Sequence, residues 1–140
     1  MASGQPTTNY QVPTTFPLAL LLNTLIEGII AILFLFYPGA PNVVPGFAEA
    51  EGPSYLMLMK MYGLAALLLA GLSLLGWLKR DNQELLLSIT GLLTLFHLGM
   101  AIVQAGYNPD SRAMLLHFLL VIFLGGQYVQ QRKKGWQEVK

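Results

Sequence analysis

The chain has 140 residues, of which 54% are hydrophobic and 11% are charged, with a net charge of +1 and no cysteine. Since about a quarter of the residues of a soluble globular protein are charged, this composition argues against a water-soluble enzyme, and the apolar content excludes a disordered chain. The absence of cysteine excludes disulfides and thiolate metal sites, and the small net charge argues against a nucleic-acid partner.

Four long apolar runs predict four membrane-spanning helices. A helix needs about 20 apolar residues to cross roughly 30 Å of hydrocarbon, and each run has or approaches that length. The runs are continuous rather than alternating, which favours helices over the strands of a barrel. The sequence therefore predicts an all-α, integral membrane four-helix bundle in a lipid bilayer, with spans 16–37, 55–78, 85–105 and 112–131.

The segments outside the spans predict the order of the bundle. Residues 1–15 form a flexible N-terminal tail without Lys or Arg, so this region does not have the basic start of a signal peptide. A connection with four prolines, 38–54, joins the first two spans. The short turn 79–84 makes the second and third helices antiparallel neighbours, and 132–140 is a basic C-terminal tail.

Basic residues predict the orientation of the bundle. Arg112 is the one basic residue on the side of the first and third connections, whereas six lie on the side of both termini. The positive-inside rule therefore predicts cytoplasmic termini. The six residues are Lys79, Arg80, Arg132, Lys133, Lys134 and Lys140.

Apart from Arg112 at the start of the fourth span, each span carries one charged residue or histidine: Glu27, Lys60, His97 and His117, in chain order. A rise of about 1.5 Å per residue places all four between the middle of the membrane and its outer boundary. A charged side chain in a span is costly and usually has a partner, so we expect an ionisable cluster in the outer half of the bundle. Glu27 and Lys60 are its expected charge pair.

Helical spacing adds further polar candidates to this cluster. Asn23 lies one turn before Glu27 on the same face of the first helix. Thr94 and Gln104 belong to a polar and small stripe on the third helix, which also contains Thr90, His97 and Ala101. On the second helix, a track of small residues predicts close helix packing. Its members are Gly63, Ala66, Ala70 and Ser73.

These residues give two sets of candidates. Glu27, His97 and His117 are the catalytic candidates. The ligand-binding candidates are Asn23, Lys60, Thr94 and Gln104. In the simpler alternative, Lys60 extends to the membrane surface, Glu27 is a structural carboxyl and the histidines only join helices.

Two cofactor sites have suitable residue types but lack the expected spacing. His97 and His117 are potential haem ligands, and Glu27 with both histidines has the ligand types of a metal site. The histidine depths differ by about 6 Å at 1.5 Å per residue, and no close metal-ligand motif is present. We therefore expect no cofactor and no metal.

Short motifs in the spans resemble known membrane proteins. The first span has a central polar residue and ends in Tyr37-Pro38, and the second opens with Lys60-Met61-Tyr62-Gly63. In this plan, which covers residues 16–135, the chain resembles the DoxX-like superfamily of small four-helix membrane proteins. Together with Phe96-His97-Leu98-Gly99, the Lys60 motif also resembles the small ergosterol-biosynthesis scaffold family. The DoxX-like resemblance implies a fold more than an activity, because members are redox-complex subunits, assembly chaperones and uncharacterised proteins.

Three functions agree with these features. The first is an accessory membrane protein, a scaffold, subunit or assembly chaperone, with a membrane-protein partner or a second copy of itself. The second is an intramembrane enzyme or binder for a lipophilic molecule such as a sterol, quinone or isoprenoid. In the second, Glu27 is the acid or base, His97 and His117 relay or orient its proton, and Asn23 and Gln104 hold polar groups. The third, a proton or ion path, is disfavoured because the Glu–His cluster does not continue toward the cytoplasm.

Overall fold

The computed structural model describes residues 16–47, 52–107 and 110–137, and this part of the chain is helical without strands. It contains four long helices and one short helix, which confirms the all-α prediction for the described residues. In chain order these are α1 (Phe16–Phe36), α2 (Ala40–Val43), α3 (Pro53–Leu78), α4 (Gln83–Tyr107) and α5 (Ser111–Gln137).

The four long helices are long and apolar enough to cross a membrane, so the chain has the architecture of a multi-pass membrane protein. The structure departs from the predicted organisation by more than two residues in two places, and the other helix ends lie within two residues of the predicted ones. The short helix α2 lies in the predicted connection 38–54, and α5 continues to Gln137, so most of the predicted tail 132–140 is helical. The predicted tail 1–15 and residues 138–140 lie outside the described residues.

The helices form a closed ring. Helix α1 packs along α3, and α4 packs along α5; these pairs are joined by contacts of α3 with α4 and of α1 with α5. Each long helix therefore lies next to those before and after it, as in an up-down-up-down bundle. This arrangement confirms that the second and third predicted spans are neighbours.

The burial pattern is that of a bundle in lipid, with small and polar residues inside and large apolar residues outside. Leu64, Leu67 and Leu68 on α3 are exposed. The buried residues of α3 include the whole predicted track of small residues, because small side chains let helix backbones approach closely. They are Met59, Gly63, Ala66, Ala70, Ser73 and Gly76.

Two apolar clusters lie at opposite ends of the bundle. One lies at the turn end, which we define by the α3–α4 turn at residues 79–82, and is centred on Leu20, Leu86 and Leu124. The other lies at the α2 end, where Phe34 and Met59 pack against α2 and the residues that follow it. Along α1, the polar residues of the predicted cluster lie between these two apolar regions.

Asp110 joins the two connections at the α2 end. Its Oδ1 accepts a hydrogen bond from the backbone N of Arg112 (3.0 Å), which caps the start of α5. Its Oδ2 accepts from the backbone N of Gly46 (3.2 Å) in the α1–α3 connection. Hydrogen bonds from the Arg112 side chain and backbone, with that of Gly46, hold the pKa of Asp110 well below its usual range.

We expect this joint to make stability depend on pH in the acid range. Because the pKa of Asp110 is lower in the folded state, its contribution is complete above the unfolded pKa of about 3.8. The contribution is lost as the pH falls from there through the folded pKa. Thermal unfolding in detergent should therefore show a decrease in Tm below about pH 4 that is weaker in Asp110→Asn.

A matched control comes from Asp81→Asn, since Asp81 is an exposed carboxylate in the α3–α4 turn. This variant should retain the acid decrease in Tm. Parallel Tm curves for the wild type and Asp110→Asn would contradict the assigned role of Asp110.

Candidate functional site

Four buried polar side chains, one from each long helix, form a hydrogen-bonded series that we name the polar chain. It begins on α3 with Ser73, whose Oγ lies 2.6 Å from Nδ2 of Asn23 on α1. Oδ1 of Asn23 lies 2.8 Å from Nε2 of His97 on α4. Nδ1 of His97 lies 3.0 Å from Nδ1 of His117 on α5. The relative exposure of these four residues is 5% or less, so the contacts lie inside the bundle.

Helical spacing explains why the two histidines meet. On α4, His97 lies four residues after buried Leu93 and four before buried Ala101. On α5, His117 lies four residues after buried Ala113 and three before buried Leu120. Steps of three and four residues keep side chains on one face of a helix, so both histidines lie on the faces that pack against the bundle.

Glu27 lies beside the polar chain. It is one helical turn after Asn23 and is almost completely buried. Its Oε1 lies 3.9 Å from Nε2 of His97. The three catalytic candidates are therefore close together, with His97 between Glu27 and His117.

Lys60 lies apart from this group, which corrects the expected Glu27–Lys60 pair. Its side chain is exposed, and Nζ donates a hydrogen bond to the carbonyl oxygen of Leu35 (2.5 Å). Leu35 lies in the last turn of α1, where carbonyl groups have no partner within the helix and a cation is favourable. Depth along α3 predicted that Lys60 lies near the cluster. Its position around the α3 axis instead directs the side chain toward the end of α1.

The remaining two ligand-binding candidates have different positions. Thr94 donates its hydroxyl hydrogen to the carbonyl of Thr90 (2.7 Å), so its polar group is satisfied within α4. Gln104 lines a pocket at the α2 end. The predicted stripe on α4 therefore faces the bundle, but its polar residues have different roles. Thr94 bonds within α4, His97 belongs to the polar chain and Gln104 lines the pocket.

This pocket has a volume of about 260 Å³ and mostly apolar walls. Ile26 and Ile30 of α1 form one side, and Val44 and Phe47 of the following connection form another. His117 is the member of the polar chain that lines it. The polar residues that line the pocket are Tyr62, Gln104 and His117.

The contact between the histidines bears on the metal and haem alternatives. The rings are stacked, with centroids 5.3 Å apart and an angle of 29° between their planes. Their Nδ1 atoms bond to each other, so these atoms are not arranged around a common metal position. Among the described residues, no group of three or more His, Asp or Glu side chains is placed to hold a metal ion.

Sequence reasoning missed several polar groups of the interior. Ser73 was counted as a small residue, although its hydroxyl begins the polar chain. Gln127 and Gln131 are buried on α5, and their amides have no hydrogen-bond partner among the described residues. Buried residues of α5 recur every three or four positions, from Leu120 to Leu124, Gln127 and Gln131. Extending this periodicity along the sequence would therefore have identified both glutamines.

The ring of helices places the polar chain across the bundle, and His117 connects this chain to the apolar pocket. Comparison of the chain with protein-family models, with curated proteins and with solved structures gave no significant match.

Proposed function

We propose that this membrane protein binds a lipophilic small molecule, such as a sterol, quinone or isoprenoid, in the pocket at the α2 end. One observation carries the proposal: the apolar pocket is lined by His117, which is the last residue of a buried polar chain with one member on each long helix. Small-molecule sites typically combine apolar walls with a few placed polar groups, which fix the orientation of the ligand.

The position of His117 gives the polar group of the ligand a partner. Its Nδ1 is bonded to His97, and no described residue bonds to its Nε2. His117 lines the pocket, so a ligand that bonds this nitrogen gains a polar contact in addition to its apolar contacts. Asn23 and Ser73 act through His97 and keep the imidazole of His117 in one orientation.

An acid–base role for Glu27, His97 and His117 stays a prediction within this proposal. Glu27 does not line the pocket, whereas His117 does. Proton exchange with a ligand would therefore pass through His117 and His97 before reaching Glu27. Lys60 and Thr94 do not line the pocket either, so we propose no ligand contact for them.

The accessory role and the DoxX-like relationship also stay predictions. Large apolar side chains are exposed on all four long helices, including Leu25, Leu68, Leu95 and Phe123. These surfaces suit lipid tails and suit the helices of a membrane-protein partner or a second copy equally well. An accessory protein that binds a lipophilic molecule satisfies both proposals, and co-purification of a stoichiometric partner tests the first.

Filling the pocket should abolish ligand binding. Ala113 is buried at the pocket wall, and Ala113→Phe would place a ring in the cavity without removing any atom of the polar chain. The probes are farnesol, cholesterol and decylubiquinone, one for each class, and native mass spectrometry of the protein in detergent measures saturable 1:1 binding. We expect at least one probe to bind the wild type and Ala113→Phe to weaken it at least tenfold.

Leu115→Phe provides the matched control because Leu115 lies on the same helix and is half exposed. It should leave binding unchanged. The proposed function is wrong if none of the three probes binds saturably, or if Ala113→Phe and Leu115→Phe bind equally well.

A further inference from the structure

The direction of each hydrogen bond in the polar chain is set by its first member. Oγ of Ser73 lies 2.9 Å from the carbonyl oxygen of Leu69. A carbonyl oxygen only accepts, so the single hydroxyl hydrogen of Ser73 is donated to it. The hydroxyl oxygen is then the acceptor for Nδ2 of Asn23 at 2.6 Å. The amide of Asn23 is thereby oriented with its oxygen toward His97.

This orientation determines which nitrogen of His97 carries hydrogen. Oδ1 of Asn23 only accepts, so the hydrogen bond of 2.8 Å requires a hydrogen on Nε2 of His97. A second oxygen, Oε1 of Glu27, lies 3.9 Å from the same nitrogen, which agrees with this assignment. In a neutral imidazole the other nitrogen, Nδ1, then carries a lone pair.

The same reasoning extends to His117. Two lone pairs do not bond, so Nδ1 of His117 donates to Nδ1 of His97 across their 3.0 Å contact. An ionised side chain within a span costs about 2.5–3.5 kcal/mol, which favours the neutral form of both rings. A neutral His117 with hydrogen on Nδ1 has its lone pair on Nε2. The polar chain therefore presents a hydrogen-bond acceptor to the pocket.

We infer that the pocket selects lipophilic alcohols over lipophilic carbonyl compounds. This inference rests on the proposed ligand-binding function and narrows its ligand class. A hydroxyl group donates to Nε2 of His117, whereas a ketone, an aldehyde or an oxidised quinone has no hydrogen for this nitrogen and only accepts, from Tyr62 or Gln104. Ser73, although it is remote from the pocket, is then a positioning residue for ligand choice, because it sets the direction of the whole chain.

The test compares three ligands of one skeleton: farnesol, farnesal and farnesyl methyl ether. Only the alcohol has a donor, and its dissociation constant for the wild type should be at least about tenfold lower than those of the other two. In Ser73→Ala the amide of Asn23 is no longer held in one orientation, so the preference for farnesol should fall at least threefold. Ser88→Ala is the matched control. The Ser88 hydroxyl likewise donates to the backbone carbonyl four residues earlier, that of Glu84 (2.9 Å), but on the exposed face of α4.

A second measurement needs no ligand. Nitrogen-15 NMR of the histidine side chains in the wild type should show hydrogen on Nε2 of His97 and on Nδ1 of His117. In Ser73→Ala the spectra should show a mixture of tautomers, which a purely structural role of Ser73 would not produce.

The outcomes separate the inference from the proposed function. Farnesal binding as tightly as farnesol, or the opposite tautomers in the wild type, overturns the inference and leaves ligand binding intact. An unchanged ratio of farnesol to farnesal affinity in Ser73→Ala also overturns it. Failure of all three compounds to bind, together with failure of the other probe classes, counts against the proposed function itself.

Discussion

Replacing His97 with Leu should destabilise the bundle by about 2–4 kcal/mol, because two buried groups each lose a partner at a cost of about 1–3 kcal/mol. Oδ1 of Asn23 and Nδ1 of His117 are the groups left without hydrogen bonds. Leu has a volume close to that of His, so the variant mainly removes hydrogen bonds and creates little empty space. Equilibrium unfolding in mixed micelles measures the free energy.

Two controls separate the polar chain from general effects on α4. In Thr94→Val the lost hydrogen bond lies within α4, to Thr90, and the cost should be below about 1 kcal/mol. The double variant Asn23→Leu/His97→Leu should lose less stability than the sum of the single variants, because it removes both members of the Asn23–His97 hydrogen bond and leaves neither one buried without the other. A His97→Leu protein as stable as the wild type would show that the polar chain is not formed.

Much of the fold could be predicted from the sequence because a membrane places two requirements on a spanning segment, its apolar length and its backbone hydrogen bonding. A helix that crosses hydrocarbon needs about 20 apolar residues and satisfies its own backbone, so four apolar runs were sufficient to predict α1, α3, α4 and α5. Helix α2 was missed because it has only four residues, Ala40–Val43. So short a segment has no periodicity that distinguishes it from a loop. The helical continuation of α5 was missed because basic residues there indicated the end of the span.

The candidate site was predicted in part, and the reason lies in what depth and spacing can specify. His97 and His117 were expected at depths about 6 Å apart at 1.5 Å per residue, yet their Nδ1 atoms are in contact. Imidazole side chains extend from the helix axis and lean along it, so Cα depth does not limit such contacts. Spacing placed Asn23 beside Glu27 correctly. It could not show that Lys60 points toward α1, because that depends on how the helices are rotated.

The Lys60-Met61-Tyr62-Gly63 motif has a structural explanation at the end of α1. Lys60 donates to the Leu35 carbonyl, and Tyr62 packs edge to face against Phe34, with ring centroids 5.3 Å apart. Gly63 is buried against the same two residues of α1. The motif therefore holds α1 against α3 near the pocket, and its charged residue serves packing rather than the polar chain.

The glycine of this motif should be the most sensitive backbone position in α3. A Cβ atom at Gly63 would lie 3.0 Å from Cγ of Leu35 and 3.1 Å from Cβ of Phe34, so these neighbours on α1 would have to move by a few tenths of an ångström. Forcing extra atoms into a packed core costs about 1–3 kcal/mol, and a Leu side chain adds three more carbons beyond Cβ. We therefore expect Gly63→Leu to lose about 3 kcal/mol or more and to disturb the pocket wall formed by Tyr62.

Gly71 offers a control of opposite sign on the same helix. It is exposed, and a Cβ atom there would meet no atom within 4 Å. Gly71→Leu should be neutral or stabilise the protein by up to about 1 kcal/mol, since Gly is a poor helix former and the new side chain faces lipid. Unfolding of both variants in mixed micelles gives the comparison. Equal stabilities would show that α1 and α3 are not held together through Gly63, because only a close approach of the two helices makes these glycines differ.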